Sequence, residues 1–126
     1  MTNNKEVLTV VVVDDEVMIL DVMKSILEAH GLTVFSFTCA SEAMTYICEN
    51  SSSIDAVVTD YKMPGKINGY DIYKLIRAKF PSIACFIASG YIEIEEAEVE
   101  EQFLTTKPIN FDQFLPALYT ACGARK

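Results

Sequence analysis

The amino-acid sequence predicts an α/β fold, in which five strands form one doubly wound parallel sheet and five helices cover its two faces. The first observation is that short, continuous apolar runs rich in valine and isoleucine recur along the chain. Such runs are typical of parallel strands that are buried on both faces. The second is that segments with apolar residues at helical spacing alternate strictly with these runs. This alternation favours parallel strands joined by helices.

The strands are predicted from β-branched, apolar composition and from the polar or turn-forming residues between them. The first run consists almost entirely of valine, without the polar–apolar alternation of a half-exposed strand. We therefore expect it to be buried on both faces of the sheet. The predicted strands are residues 7–13, 33–37, 54–59, 83–88 and 103–106.

Each predicted helix follows a strand, and several carry a recognisable start or stop signal. Gly31 supplies a left-handed stop after the first helix. Pro81 ends the third helix, because proline cannot continue a helix. Asn110 precedes the last helix, which runs to about Ala121, and can cap its first turn. The other predicted helices are residues 16–30, 40–49, 70–80 and 92–102.

Composition excludes several classes of protein. The chain of 126 residues fits one domain, and 51% apolar residues are enough for a continuous core. A net charge of −8 disfavours direct binding to DNA or RNA. The sequence shows no signal peptide and no apolar run of the ~20 residues that a membrane span requires. The four cysteines match no metal-site spacing. We therefore expect reduced thiols and a cytoplasmic protein.

Polar and charged residues follow four of the predicted strands. Asp14 and Asp15 follow the first strand, Asp60 the third, Ser89 the fourth and Lys107 the fifth. In doubly wound sheets, the functional crevice lies at the carboxyl ends of the strands. Each of these residues alone has a commonplace explanation as a turn or surface residue. Their joint occurrence at the ends of strands one, three, four and five predicts a single site.

These residue types suit phosphoryl transfer. Several carboxylates close together repel each other, unless a divalent cation lies among them. Mg²⁺ prefers oxygen ligands and often takes only one or two carboxylates together with a phosphate. Lys107 can hold a phosphoryl oxygen, and Ser89 adds a hydroxyl donor. Asp60 is then a carboxylate nucleophile, whose attack on phosphorus gives an aspartyl phosphate.

The same motifs resemble those of the receiver domain of two-component response regulators, and the resemblance covers essentially the whole chain. It implies a flavodoxin-like fold with strand order 2-1-3-4-5. It also implies one receiver domain over residues 1–126, either stand-alone or excised from a larger protein. The motifs that carry the resemblance are residues 12–16 (VVDDE), 57–65 (VVTDYKMPG), 88–90 (ASG) and 107–108 (KP).

The resemblance implies a role for each site residue. Asp60 would be the phosphoacceptor, with Asp15, Asp60 and the backbone carbonyl of Lys62 as ligands to Mg²⁺, or to Mn²⁺ in its place. Asp14 would bind the metal through a water molecule. Ser89 and Lys107 would contact the phosphoryl group. The phosphodonor would be a phosphohistidine on a sensor histidine kinase or a histidine phosphotransfer domain. The chain would catalyse only its own phosphorylation and dephosphorylation, as a monomer or weak dimer.

Several positions depart from the usual receiver pattern. Leu104 stands three residues before Lys107, where receivers usually have an aromatic residue. A shifted role for Phe103 and a different output route are both open. Lys62 and a bulky Tyr91 lead us to expect slow self-dephosphorylation. We expect the glutamate-rich segment 92–102 to be the most mobile element, and either a solvated face or a docking surface for a basic partner.

Three other functions compete with the signalling switch. A phosphatase with an aspartyl nucleophile needs a second acid two residues later, where this chain has Lys62. A nucleotide-binding domain would carry a glycine-rich phosphate loop, and neither usual pattern occurs. A protein-interaction module that no longer uses phosphorylation stays open because of Leu104. The sequence does not indicate the kinase, the pathway or the output.

Overall fold

In the computed structural model, residues 7–89, 103–107 and 109–123 are described. Within them, five strands form one parallel sheet in the order β2-β1-β3-β4-β5, which confirms the predicted fold class and strand order. The strands are β1 Thr9–Val13, β2 Thr33–Phe37, β3 Ala56–Asp60, β4 Ala84–Ser89 and β5 Leu104–Thr106.

In the described part of the chain, four α-helices connect or follow these strands. They are α1 Val17–Ala29, α2 Ala40–Asn50, α3 Gly69–Lys79 and α4 Phe111–Ala121, and a single 3₁₀ turn covers Ser51–Ser53. The predicted helix at 92–102 and Tyr91 lie outside the described residues, so the predictions made for them stay predictions. Among the described helices, none has the length and apolar character needed to cross a lipid bilayer.

The central strands are buried on both faces, as their continuous valine runs predict. Val10, Val11 and Val12 have no exposed surface, because helices cover the sheet on either side. Val7, by contrast, is 46% exposed and precedes β1. The pairing of β1 with β2 begins only at Thr9, so the first strand is shorter than its apolar run.

Local signals fix the ends of the helices that frame the site. Gly31 follows α1 with a φ of +89°, the left-handed conformation that the sequence predicted there. Asn110 caps α4, because its side-chain oxygen accepts a hydrogen bond from the Asp112 backbone N–H. At α3, Asn68 and Asp71 form a reciprocal capping box that fixes the start of the helix beside β3.

Candidate acidic site at the carboxyl edge of the sheet

Parallel strands bring the predicted site residues to one edge of the sheet. Asp60 is the last residue of β3 and Ser89 the last residue of β4. Asp14 directly follows β1, and Lys107 directly follows β5. The Lys107 backbone N–H donates to the Ser89 carbonyl oxygen at 3.2 Å, which continues the β4–β5 pairing up to the site. The register of the sheet therefore sets the spacing of these residues.

Three carboxylates meet at this edge. Asp14, Asp15 and Asp60 each have one carboxylate oxygen within 4.8 Å of those of the other two. Asp14 is buried and Asp60 is half-buried, whereas Asp15 is exposed. The cluster is thus open to solvent on one side and closed by the sheet on the other. The predicted grouping of these three residues is confirmed.

The Lys107 ammonium lies among these carboxylates. Its Nζ is 3.2 Å from Asp14 Oδ2, 3.2 Å from Asp60 Oδ1 and 3.8 Å from Glu16 Oε1. Burial by itself would lower the pKa of Lys107, but the charges of Asp14 and Asp60, and their hydrogen bonds, outweigh it and raise that pKa. Lys107 therefore carries its full positive charge at neutral pH.

Asp60 has an environment that disfavours its charge. Burial, and then the neighbouring charge of Asp14, raise the pKa of the Asp60 carboxyl, although Lys107 offsets part of this effect. The charged form of Asp60 is thus less favourable here than in a free aspartate. A nearby cation would offset this effect.

Asp14 is held by both of its carboxylate oxygens. Oδ1 accepts a hydrogen bond from the Glu16 backbone N–H at 2.9 Å, and Oδ2 accepts from Lys107 Nζ. The backbone N–H of Asp14 donates to the Phe37 carbonyl oxygen at 3.1 Å. These contacts orient a nearly fully buried carboxylate toward the site, which explains why this charge is tolerated.

Ser89 and Lys62, the remaining predicted site residues, lie at the end of β4 and just after β3, but their roles stay predictions. Ser89 is buried at the end of β4, one residue beyond Ala88, the β4 partner of Asp60. Lys62 lies in the loop two residues after Asp60, and its side chain is exposed. Neither the hydroxyl contact of Ser89 with a phosphoryl group nor the Lys62 carbonyl as a metal ligand is tested.

Gly69 is a positioning residue that sequence reasoning missed. A β-carbon built on Gly69 would lie 2.1 Å from the Asp60 carbonyl oxygen and 3.1 Å from the Tyr61 α-carbon. The Gly69 N–H also donates to the Tyr61 carbonyl oxygen at 2.9 Å. The loop after β3 thus closes against the backbone of Asp60, and only glycine fits there. The only signal in the sequence was a glycine directly before the predicted helix 70–80.

The aromatic residue near β5 is Phe103, which precedes the strand and is buried. Its ring makes an edge contact with Phe86 at a centroid distance of 5.4 Å and a tilted contact with Tyr73 at 6.4 Å. Leu104 begins β5, pairs with Ile87 and is half-buried. Leucine therefore keeps the strand position, and the aromatic ring packs into the core beside α3.

Comparison with known proteins identifies the family. The model of the response regulator receiver domain matches residues 10–118. The uncharacterized transcriptional regulatory protein YesN of Bacillus subtilis is 32% identical over 116 residues, which are 86% of this chain and 31% of YesN. The response regulator SaeR of Staphylococcus epidermidis is 38% identical over 66 residues, which are 52% of this chain and 27% of SaeR. The chain therefore spans less than a third of either relative.

Solved structures agree with the sequence comparison. A crystal structure of a response regulator receiver domain protein from Clostridium thermocellum has a TM-score of 0.83 and 31% identity, covering 92% of this chain and 94% of that one. A receiver protein from Sinorhizobium medicae has a TM-score of 0.82 at 24% identity, covering 96% and 98%. With the family model matched over most of its length, the chain belongs to the response regulator receiver domain family.

Proposed function

We propose that this receiver domain is a phosphorylation switch, which takes a phosphoryl group on Asp60 from a phosphohistidine. The observation that carries the proposal is the placement of the Asp60 carboxylate 3.2 Å from Lys107 Nζ, with Asp14 and Asp15 beside it. The site thus combines a carboxylate nucleophile, a fixed cation and an acidic cluster. These three elements suit a phosphoryl acceptor.

The acidic cluster suits a magnesium ion. Its donors are carboxylate oxygens only, they come from three residues, and one side of the cluster is open to solvent. Hard oxygen donors with space for water and phosphate are what Mg²⁺ prefers. Asp15 and Asp60 would hold the ion directly and Asp14 through water, with Mn²⁺ as a substitute. The bound ion supplies charge neutralisation for the phosphoryl oxygens.

The residues of the chain carry out the transfer itself. One Asp60 carboxylate oxygen attacks phosphorus, and the bond from phosphorus to the donor nitrogen breaks with its electron pair leaving on the imidazole. Lys107 lies close enough to Asp60 to pair with an incoming phosphoryl oxygen. Asp14 keeps Lys107 in place and remains unmodified. The enzyme-like activity of the chain is thus confined to its own phosphorylation and dephosphorylation.

Phosphorylation would redistribute the contacts of Lys107. In the structure its ammonium bridges Asp14 and Asp60, and a phosphoryl group on Asp60 offers a stronger anionic partner at the same place. Ser89, at the end of the neighbouring strand, is positioned to respond. We propose that this rearrangement changes the affinity of the domain for its output partner.

The partners follow from the chemistry and from the family. The donor is a sensor histidine kinase or a histidine phosphotransfer domain, and the output partner stays unidentified. YesN and SaeR are described as regulatory proteins, and an output domain on a longer chain is one arrangement that they suggest. Within the described residues the four cysteines form no disulfide, which fits the reducing conditions of the cytoplasm.

Intact mass after incubation with acetyl phosphate and Mg²⁺ tests the proposal. We expect the wild type to gain the mass of one phosphoryl group, and Asp60→Asn and EDTA-treated samples to gain nothing. Asp112→Asn, which changes an exposed aspartate at the start of α4, is the matched control and should gain mass like the wild type. An unmodified wild type would instead favour a module that works without phosphorylation.

A further inference from the structure

A cavity of about 650 Å³ opens directly beside the phosphoacceptor, between α1 and the start of α4. Asp14, Asp60 and Lys107 form its polar end. Its volume lies within the range of sites that bind small molecules, and it lies at the carboxyl edge of the sheet, where such sites concentrate. The reacting groups thus occupy one end of a larger cavity, whose remaining surface they do not use.

The remaining walls are apolar. On one side lie Met18, Val22 and Met23 of α1, and on the other Ile109 and Phe111 at the start of α4. Met18 is 82% exposed and Val22 55% exposed, so their side chains are not buried in the core and can contact a ligand. Two exposed apolar residues one helical turn apart mark this side of α1 as a contact surface.

A ligand that fills the whole cavity needs a phosphoryl head and an apolar body. We propose that the groove binds the acyl part of small acyl phosphates. The domain would then accept phosphoryl groups more efficiently from donors with a bulky apolar acyl group than from acetyl phosphate. This inference rests on the proposed function, since it names a class of phosphodonor for the same site. Continuity between the apolar walls and the Asp60–Lys107 pair favours a small donor that occupies both.

The reaction balances without another reactant. An Asp60 carboxylate oxygen forms the new bond to phosphorus, and the bond from phosphorus to the acyl oxygen breaks with its electron pair. The leaving group is the carboxylate of the donor, and no proton is transferred. The products are the aspartyl phosphate and a free apolar carboxylate, so the total charge is unchanged. The groove acts only on the acyl group, which is the part that distinguishes one donor from another.

Two α1 valines with the same exposure provide a matched test. Val22 lines the groove and is 55% exposed, whereas Val17 is 56% exposed and does not line it. We would measure second-order rate constants for phosphorylation by benzoyl phosphate and acetyl phosphate in Mg²⁺, for the wild type, Val22→Ser and Val17→Ser. If the benzoyl group buries about 50–60 Å² more apolar surface in the groove than the acetyl group does, its rate constant should gain roughly tenfold relative to that of acetyl phosphate.

The quantity compared between variants is the ratio of the benzoyl to the acetyl rate constant. The ratio cancels any effect of a substitution on both donors, and its comparison between variants cancels the intrinsic reactivity of the donors. Val22→Ser should lower this ratio about threefold, and the double variant Met18→Ser, Val22→Ser should lower it further, because apolar contact area is lost. Val17→Ser should keep the wild-type ratio. As a binding readout, unreactive phenylphosphonate should shift the methyl NMR signals of Met18 and Met23 in the Mg²⁺-loaded protein, and methylphosphonate should not.

An unchanged ratio in Val22→Ser, with both donors still modifying Asp60, would overturn the inference and leave the proposed function intact. The same holds if Val22→Ser slows only transfer from a protein phosphodonor, because the groove would then bind a protein surface. Failure of both donors to modify the wild type would instead overturn the proposed function, and the inference with it.

Discussion

Replacing Gly69 with alanine sets two physical effects against each other. Gly69 is the first residue of α3, where alanine would ordinarily stabilise the helix, by up to about 1 kcal/mol. The added methyl group would lie 2.1 Å from the Asp60 carbonyl oxygen. That oxygen belongs to the backbone of β3, which pairs with strands on both sides, so it cannot move aside at low cost.

The steric effect should win. A carbon atom and a carbonyl oxygen need at least about 3.2 Å, so the loop and β3 must separate by roughly 1 Å. Overpacking of this kind costs about 1–3 kcal/mol in well-packed interiors, and the gain in helix propensity offsets part of it. We expect Gly69→Ala to lower the free energy of unfolding by about 1–2 kcal/mol. Because Asp60 carries the displaced oxygen, phosphorylation should also slow by about tenfold or more.

Urea denaturation and the rate of phosphorylation by acetyl phosphate measure the two effects. Gly31→Ala is the control: Gly31 has a φ of +89° and no atom within 4 Å of the added methyl group. Its free energy of unfolding should fall by about 1 kcal/mol from backbone strain alone. Acetyl phosphate should phosphorylate this variant at the wild-type rate. A Gly69→Ala variant that is as stable as the wild type and reacts as fast would refute the close approach to Asp60.

Three further predictions concern the site and the core. Lys107→Met should lower the free energy of unfolding by about 1–3 kcal/mol in EDTA, because Asp14 and Asp60 lose their shared cation; urea denaturation at the wild-type value would contradict this. Asp60→Asn should be more stable than the wild type at neutral pH, because the Asp60 pKa is raised on folding. The loss of stability that the raised pKa causes is complete above the pKa of Asp60 in the folded protein. It vanishes as the pH falls below 3.8, the ordinary pKa of an aspartate. Urea denaturation in EDTA should therefore show the stability difference between Asp60→Asn and the wild type disappearing in acid. Phe103→Ala should cost about 3–4 kcal/mol and Leu104→Ala only about 1–2, since Phe103 is buried and Leu104 half-buried; equal losses would count against the packing of Phe103 in the core.

The sheet could be predicted because its strands are buried on both faces. That burial requires apolar β-branched residues without interruption, and the valine runs of β1 and β3 are plain in the sequence. The topology then brings Asp14, Asp60 and Lys107 together. In the structure Lys107 Nζ lies 3.2 Å from one carboxylate oxygen of each aspartate. The site was predictable to this extent because it lies on strand ends, and parallel strands bring their carboxyl ends to the same edge of the sheet.

The sequence could not indicate how much of an apolar helix face is covered by neighbouring elements. The apolar stripe of α1 includes Val17, Met23 and Leu27, yet Val17 is 56% exposed while Met23 and Leu27 are buried. Helical spacing indicates which face of a helix is apolar, but it does not indicate which residues of that face are buried. The groove beside Asp60 could therefore not be predicted from the sequence. The role of Gly69 was missed for a similar reason, since close approach between two backbones leaves no pattern in either segment.

The assignment of Asp60 as the phosphoacceptor is tested most directly by locating the phosphoryl group. After phosphorylation by acetyl phosphate and Mg²⁺, borohydride reduction converts an aspartyl phosphate to homoserine, and peptide mass spectrometry then identifies the modified position. We expect homoserine at position 60 alone, and unmodified aspartate at positions 14 and 15. Modification at either of those positions, or none at 60 in a folded, Mg²⁺-loaded protein, would contradict the assignment of Asp60 as the phosphoacceptor.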